Sequence, residues 1–205
     1  MRTRKNLAAL TAVVLAATLV MPVTAATNTI TEMTVDGNTE ITANIEDAGE
    51  VSYIISIPQA VSFGALTQPD SKDTDHYVFC DFNVTATELN LKSNQGVTVY
   101  VKDSAAPAGT FYITQKNAAN PFSIFYDVYD TPVNAGNINR YEAINDTAEP
   151  GTYGFHLCTF LYDAVGKSQP VTLALNQNVL CDQIISDIAG DYSGTMVFHT
   201  ALFER

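Results

Sequence analysis

Tryptophan is absent from this 205-residue sequence, and basic residues are scarce. The chain has 10 Lys and Arg against 22 Asp and Glu, a formal net charge of −12 at pH 7. Nucleic acids and anionic membrane surfaces attract clusters of basic side chains, which displace counterions. Beyond residue 5 every Lys or Arg stands alone in the sequence. We therefore predict no binding to nucleic acid and none to anionic membrane surfaces.

Recognisable catalytic motifs are also missing. A Gly-x-Ser-x-Gly elbow does not occur, because in Gly190–Gly194 the serine stands one place late. Neither a His-Glu-x-x-His motif nor a phosphate-binding glycine loop is present. The three histidines, His76, His156 and His199, lie on or beside predicted strands, where an imidazole is more often a half-buried, hydrogen-bonded side chain than a catalytic base. We predict a protein that is not an enzyme.

Long apolar runs are confined to the N-terminus. Three basic residues within residues 2–5 precede Leu7–Met21, which is rich in Ala, Leu and Val, and Val23–Ala25 supplies the small residues that a signal peptidase reads. The run is short for a membrane span of about 20 residues. We predict a signal peptide over residues 1–25 and an extracellular chain, secreted or held at the cell surface, with no membrane span after cleavage. Without the three basic residues its net charge is −15.

An alternation of apolar and polar residues with period two runs through most of the remaining sequence, and turn-forming residues separate the alternating stretches. The stretches are Thr29–Val35, Thr39–Ile45, Val51–Ile57, Tyr77–Val84, Val97–Lys102, Thr110–Gln115, Phe122–Tyr129, Tyr153–Leu161, Val171–Leu175 and Gly194–Phe203. The exception is Leu180–Ile188, where isoleucines favour one helical face. The pattern predicts an all-β fold, an antiparallel immunoglobulin-like β-sandwich of about ten strands in a single domain over residues 26–205.

The stretch SYIISIPQAVSFGAL, residues 52–66, begins as a strand and is interrupted by a proline. Because proline cannot donate to a strand ladder, Pro58 predicts a strand end, an edge or a point where the chain changes sheets. Gly64 permits a second bend. The residues expected to enter the core here are Ile54, Ile57, Val61, Phe63 and Leu66.

The N-terminal part of the predicted domain, residues 26–46, permits two interpretations. The Asp36-Gly37 dipeptide favours a tight turn and hence a peripheral hairpin. A polar, Thr-rich strand can instead pair with the open edge of a neighbouring molecule, which makes it an exchangeable strand. The residues assigned to that partner-binding face are Thr29, Thr31, Met33 and Val35.

An acidic segment provides the one metal candidate, and no cofactor motif is present. Asp70, Asp73 and Asp75 lie within a predicted loop, and calcium prefers several oxygen ligands from such loops. The spacing is not that of an EF-hand, and Lys72 lies in the middle. The alternative is a solvated acidic loop.

The cysteines are odd in number for an exported chain. Cys80, Cys158 and Cys181 permit one disulfide with one free thiol, or three thiols that pack as small hydrophobic side chains. If a disulfide forms, we favour Cys158–Cys181. No C-x-x-C spacing occurs, so the sequence indicates neither a redox motif nor a zinc site.

Two motifs carry a resemblance to a known class of proteins. A strand followed by Ile57-Pro58, a short apolar segment and Phe63-Gly64 resembles the start of β-sandwich domains in secreted surface proteins of Gram-positive anaerobes. The small-residue turn and strand of Ala189–Phe198 resemble their close, and WxL-type cell-wall-binding domains and several pilin subunits share similar features. The resemblance implies a structural or adhesin-like surface domain. The chain departs from the WxL pattern because it has no tryptophan.

Three functional hypotheses follow. The first is a non-enzymatic structural or adhesive surface protein whose partner is a cell-surface or extracellular protein, its own copies included. The second is a self-assembling, pilin-like fibre subunit joined by addition of the N-terminal strand. The third is a carbohydrate-binding module, in which exposed rings such as Tyr100 and Tyr126, among 20 Phe and Tyr residues, stack on sugars.

Overall fold

A computed structural model of the protein describes residues 27–31, 51–105, 109–147 and 150–205. The strands in these residues are β1 (Thr27–Thr31), β2 (Ser52–Pro58), β3 (Tyr77–Asn90), β4 (Gln95–Asp103), β5 (Tyr112–Gln115), β6 (Ser123–Phe125), β7 (Asp127–Tyr129), β8 (Phe155–Leu161), β9 (Ser168–Asn176), β10 (Tyr192–Ser193) and β11 (Met196–Glu204). Every pairing among them is antiparallel. The prediction of an all-β, antiparallel fold is confirmed, whereas the immunoglobulin-like topology stays a prediction.

The strands form three hydrogen-bonded sheets. The largest has the order β1-β2-β3-β9-β7, and the two smaller ones have the orders β11-β4-β8 and β10-β5-β6. Strands β6 and β7 are separated only by Tyr126, yet β6 pairs with β5 and β7 pairs with β9. The backbone of Tyr126 donates to the Phe111 carbonyl at 3.1 Å. The chain therefore passes from one sheet to another at this residue.

One hydrophobic cluster joins the three sheets. Its fully buried members include Ile55 from β2, Val99 from β4, Ile124 from β6 and Leu173 from β9. Burial of each such side chain contributes about 1.5–3 kcal/mol. The sheets thus share this cluster rather than packing as separate units, and a second, smaller cluster includes Tyr129 from β7 and Ala174 from β9.

The buried face of β2 differs from the predicted one. Tyr53, Ile55 and Ile57 are buried, whereas Ile54 lies on the opposite face and is half-buried. Successive side chains of a strand point to opposite faces, so Ile54 and Ile57 do not share one. Val61, also predicted to enter the core, is 42% exposed.

The chain leaves β2 at Pro58, which confirms the predicted strand end. Residues 59–76 contain neither a helix nor a strand. Phe63 and Leu66 pack against the core, as expected, and Gly64 bends the chain with a φ of +70°. A connection of this length without regular structure is uncommon in a compact domain and often has a functional role.

Helical structure in the described residues is limited to single turns. The α-helices are α1 (Ile144–Thr147) and α2 (Ile185–Ile188), and 3-10 turns span Ile138–Arg140 and Gln177–Leu180. The helical face predicted for Leu180–Ile188 is reduced to α2, where Ile185 is exposed, as is Ile184 just before the helix. None of the helices in the described ranges is long and apolar enough to cross a membrane.

The N-terminal strand β1 pairs with β2 of the same chain and forms one edge of the largest sheet. The register places Thr27 opposite Pro58 and Thr31 opposite Ile54. Thr29 and Thr31, two of the predicted partner-binding residues, therefore lie on an intramolecular edge strand. Met33, Val35, the Asp36-Gly37 turn and the predicted signal peptide lie outside the described residues.

Candidate functional site

A groove with a volume of about 1200 Å³ opens where β2 ends. The loop wall of this groove is residues 58–68, and its edge wall is residues 188–196. The floor consists of side chains that belong to the core or pack against it: Phe82, Ile113, Ile124, Tyr126, Leu173, Leu180 and Phe198. The groove therefore lies directly over one part of the hydrophobic core.

The groove is almost free of charge. Of the described residues that line it, Asp191 alone carries a charged side chain. The whole chain, by contrast, has 22 acidic and 10 basic residues. A lining of mixed polar and apolar groups with a single charged side chain favours an uncharged ligand, because a charged group would lose its hydration there without gaining a partner.

The loop wall has backbone groups available for pairing. Within the described chain, residues 59–68 form no backbone–backbone hydrogen bond. Side chains hold the far end of the wall instead. The Thr67 amide donates to Gln177 Oε1 at 2.7 Å, and Gln68 Nε2 donates to the Leu180 carbonyl at 2.8 Å and the Gln183 carbonyl at 3.1 Å.

The edge wall is formed by the outermost strands of two sheets. β10 pairs with β5, β11 pairs with β4, and neither has a second partner strand in the described part of the chain. The turn before β10 is fixed, since Tyr192 Oη donates to the Ile188 carbonyl at 2.6 Å and Gln115 Nε2 donates to the Ala189 carbonyl at 3.0 Å. Among the described residues, the groove thus lies between a loop that belongs to no sheet and a strand, β10, that has one partner strand.

The predicted calcium ligands are not brought together. Asp70, Asp73 and Asp75 are all exposed, and Asp75 Oδ1 accepts a hydrogen bond from Asn176 Nδ2 at 2.8 Å. Lys72, in the same loop, forms an ion pair with Asp182. Across the described ranges, no group of three or more His, Cys, Asp or Glu side chains is arranged to hold a metal ion. The calcium prediction therefore has no support from this arrangement.

All three cysteines are free thiols, so the structure does not contain the favoured Cys158–Cys181 disulfide. Cys158 is buried in the core on β8, while Cys181 follows a 3-10 turn, where its Sγ lies 3.5 Å from the Pro69 carbonyl oxygen. Burial raises the pKa of the Cys158 thiol to about 12 and also raises the pKa of Cys80. A buried thiol of raised pKa is a poor nucleophile at neutral pH.

The three histidines have structural contacts. His76 Nδ1 lies 2.8 Å from Asn178 Oδ1, and His156 Nε2 lies 3.0 Å from Thr159 Oγ1. The buried His199 ring stacks on Tyr153 with ring centroids 3.8 Å apart and planes inclined by 7°.

An aromatic cluster covers the outer face of the β11-β4-β8 sheet. Tyr100 on β4 lies opposite His199 and His156 in the strand register, whereas Val99 on the same strand faces the core. A tight turn closed by Gly151 and Gly154 places Tyr153 beside Tyr100, with ring centroids 5.9 Å apart. Tyr153 is 44% exposed.

Tyr126, predicted to be an exposed ring, is instead buried at the sheet corner, where it packs against Phe63 and Phe111. Its burial raises the pKa of the phenol well above the usual value. The period-two alternation did not reveal this, because the strand changes sheets at that residue. The sequence did not reveal the place of Tyr153 in the aromatic cluster, because a turn and not a strand sets the position of this residue.

No family model and no curated protein matches this chain. Among solved structures, similarity was found to a chain from a study of a chaperone–tip adhesin complex in CFA/I fimbriae biogenesis. The two chains are 12% identical with a TM-score of 0.44, and the match covers 75% of this chain and 41% of the other. This chain therefore spans less than half the length of that protein. At these values the likeness carries no inference about function.

Proposed function

We propose that the protein is a non-enzymatic, extracellular structural protein that joins copies of itself by accepting an added β-strand in the groove. The observation that carries the proposal is the position of the groove between a loop and a strand edge that have no further strand partner among the described residues. The loop wall and β10 both offer backbone groups, and core side chains such as Phe82 and Phe198 form the floor. A strand laid between the walls would extend a sheet and cover the floor at the same time.

The energetics support a strand rather than a compact ligand. Each backbone hydrogen bond to a wall contributes about 1 kcal/mol, and each apolar side chain placed on the floor about 1.5–3 kcal/mol. These gains offset the loss of freedom on association only when several act together. An extended segment presents alternate side chains to the floor and its backbone to the walls, and therefore makes both kinds of contact.

The predicted signal peptide supports a location outside the cell. The acidic surface supports a protein partner over nucleic acid. The groove has one charged side chain, Asp191, in a chain whose net charge after signal cleavage is −15, so little charge repulsion arises within the contact between two copies.

The test is the size of the secreted protein, measured by size-exclusion chromatography with light scattering and by negative-stain microscopy. Val61→Asp places a carboxylate on the loop wall at an exposed position, so the monomer retains its fold. Val165→Asp is the matched control, because Val165 is 54% exposed and does not line the groove. We expect assemblies from the wild type and from Val165→Asp, and monomers from Val61→Asp. A monomeric wild type, or full assembly of Val61→Asp, contradicts the proposal.

The aromatic cluster favours a second candidate function, carbohydrate binding. Tyr153 stacks on His199 through one face, so its other face is available to stack on a sugar ring. A glycan array probed with wild type and Tyr153→Ala tests this. Tyr162→Ala serves as the control, since Tyr162 is 47% exposed and outside the cluster. Loss of glycan binding only in Tyr153→Ala supports this function, and identical profiles contradict it.

A further inference from the structure

We infer that the aromatic cluster binds a sugar ring that carries a carboxylate, with Tyr153 as the stacking surface and Lys102 as the partner of the carboxylate. This inference rests on the second candidate function, carbohydrate binding, and names the class of sugar. It is independent of the groove, since neither residue lines it. Three observations carry it: the position of Lys102, the sign of the charge on this face and the hydrogen-bonding groups beside the rings.

Lys102 lies on the same face of the sheet as the aromatic cluster. It follows Tyr100 by two residues on β4, and side chains two residues apart in a strand share a face. Val101, between them, is buried in the core. A Cβ built on Gly154 would lie 3.0 Å from Lys102 Cβ, so the turn that carries Tyr153 lies against the stem of this lysine. The lysine therefore begins directly beside the stacking surface.

The ammonium group of Lys102 is available to a ligand. Lys102 is half-buried, and a lysine in that state packs its methylene stem on its neighbours while its charged end stays in water. The one ion pair among the described residues joins Lys72 and Asp182, in a different part of the chain. Within the described ranges, a ligand carboxylate therefore has no protein carboxylate to displace from Lys102.

The ionisable side chains on this face are basic. Lys102 on β4, His156 on β8 and His199 on β11 belong to it. Strands β4, β8 and β11 contain two acidic residues, Asp103 and Glu204, and both stand at positions that alternate to the opposite face. In a chain with 22 acidic residues, a face that is basic and aromatic favours an anionic group on the ligand.

Hydrogen-bonding groups adjoin the rings. The exposed His156 lies opposite Tyr100 in the register, and the two rings meet edge to face with centroids 6.1 Å apart. His156 Nε2 lies 3.0 Å from Thr159 Oγ1, which is 3.4 Å from Thr98 Oγ1. A sugar ring stacked on a tyrosine presents hydroxyl groups around its rim, and imidazole and threonine side chains donate to and accept from such groups. This combination favours a sugar over a purely apolar ligand.

The acidic charge of the whole chain restricts the ligand to an isolated carboxylate. At physiological salt, exposed charges more than about 8 Å apart are largely screened, so remote carboxylates oppose a small ligand only weakly. A carboxylate in contact with Lys102 forms a charge-assisted hydrogen bond, which is much less affected. A polyanion would also pass over other parts of a surface whose net charge after signal cleavage is −15. We therefore expect a single acidic sugar within an otherwise neutral glycan.

Paired sugar probes test the inference. Methyl glucuronide and methyl glucoside differ only in a carboxylate that replaces a hydroxymethyl group, and methyl galacturonide and methyl galactoside form a second pair. Binding to the secreted protein is measured by saturation-transfer difference NMR, which works with assembled and with monomeric protein, at neutral pH and about 0.15 M salt. We expect at least one uronide to bind about tenfold more tightly than its neutral counterpart, as a charge-assisted hydrogen bond provides.

Two lysine variants locate the partner of the carboxylate. Lys102→Met keeps an unbranched stem and removes the charge, so we expect the uronide to lose its tenfold advantage over the neutral glycoside. Lys167→Met is the matched control, because Lys167 is exposed and lies just before β9, outside this face, and the advantage should persist. Tyr153→Ala should weaken both members of a pair, since stacking is common to them.

The outcomes separate the inference from carbohydrate binding itself. If the neutral glycosides bind as tightly as the uronides, the cluster binds sugars but the inference is wrong. If the uronide keeps its advantage in Lys102→Met, or loses it equally in Lys167→Met, Lys102 is not the partner and the inference is also wrong. If the wild type binds neither member of either pair, the inference and the second candidate function are both contradicted.

Discussion

Tyr53 and Thr200 form a hydrogen bond that links two sheets through the core. Tyr53 Oη on β2 and Thr200 Oγ1 on β11 lie 3.0 Å apart, and both side chains are buried. A polar contact in this position fixes how the sheets face one another, because displacement of either sheet separates two buried hydroxyls.

Replacement of Tyr53 by Phe tests that contact. Tyr53→Phe removes one hydroxyl and deprives the buried Thr200 hydroxyl of this partner, so we expect the free energy of unfolding to fall by about 1–3 kcal/mol. Urea titration followed by circular dichroism measures it. Tyr162→Phe removes the same atom from an exposed ring and should leave the midpoint unchanged. Equal effects of the two substitutions would contradict the role given to Tyr53.

The turn that carries Tyr153 depends on a glycine. Gly154 has a φ of +107°, and a Cβ added there would lie 2.2 Å from the Val101 carbonyl oxygen. We expect Gly154→Ala to lower the free energy of unfolding by roughly 3 kcal/mol or more, because the strained backbone and the clash act together. The measurement is again urea unfolding.

Gly166→Ala provides the comparison for Gly154. Gly166 also has a positive φ, +77°, but a Cβ there meets nothing within 4 Å. We expect Gly166→Ala to lower the free energy of unfolding by only about 1–2 kcal/mol, the cost of placing an alanine in this backbone conformation. If the two alanine variants are equally destabilised, the contact with Val101 has no energetic consequence.

The thiol of Cys158 and the phenol of Tyr129 are buried and make the stability of the fold sensitive to alkaline pH. Burial raises the pKa of Cys158 from 9.0 to about 12, so the unfolded chain releases this proton at a lower pH than the folded chain does. The stabilising contribution is fully present below pH 9 and is lost as pH rises from 9 towards 12, at about 1.4 kcal/mol per pH unit. Burial of Tyr129, whose pKa is raised from 10.0 to about 12, acts in the same direction.

The Cys158→Ala variant separates the contribution of this thiol to the pH dependence of stability from the contribution of the tyrosine phenols. We expect a shallower loss of the free energy of unfolding between pH 9 and 10.5 in this variant than in the wild type, whatever its stability at pH 7.5. Cys181→Ala is the control, because Cys181 lies half-buried outside the core strands. Parallel pH profiles for wild type and Cys158→Ala would show that this thiol does not titrate on unfolding.

Gln68 fastens the loop wall to residues 180–183, which precede the edge wall in the sequence. Its Nε2 contacts the carbonyls of Leu180, Cys181 and Gln183. We expect Gln68→Ala to increase amide hydrogen exchange across residues 59–68 while the core strands keep their protection, because loss of such bonds costs about 1 kcal/mol locally. Gln59→Ala, an exposed residue on the same wall, is the control. Unchanged exchange in Gln68→Ala would contradict the role given to its side chain.

The alternation of apolar and polar residues identified most strands, because a sheet with one buried face requires apolar side chains at every second position. The predicted strand Val51–Ile57 corresponds to β2, Ser52–Pro58. The strand ends at Pro58 because proline has no amide hydrogen to donate to a neighbouring strand. The same pattern cannot decide which face is buried when both carry apolar residues. Ile54 was therefore assigned to the core in place of Tyr53 and Ile55.

The groove was not predictable from local patterns. Its walls, residues 58–68 and 188–196, are more than 100 residues apart in sequence and meet only through the tertiary fold. The Phe63-Gly64 and Ala189–Phe198 motifs were each read as a separate sandwich corner, and a one-dimensional pattern does not show that the two corners face each other. The hydrogen bonds from Gln68 to Leu180, Cys181 and Gln183 were equally unpredictable, because they also join residues that are distant in sequence.

Tyr126 joins two short strands, β6 and β7, that belong to different sheets. Residues 123–125 complete the β10-β5-β6 sheet and residues 127–129 complete the largest one, so loss of this segment removes an edge from both at once. The two sheets are therefore coupled through this segment. We expect thermal and chemical denaturation of the described domain to follow a single all-or-none transition, with near-ultraviolet and far-ultraviolet signals changing at the same midpoint.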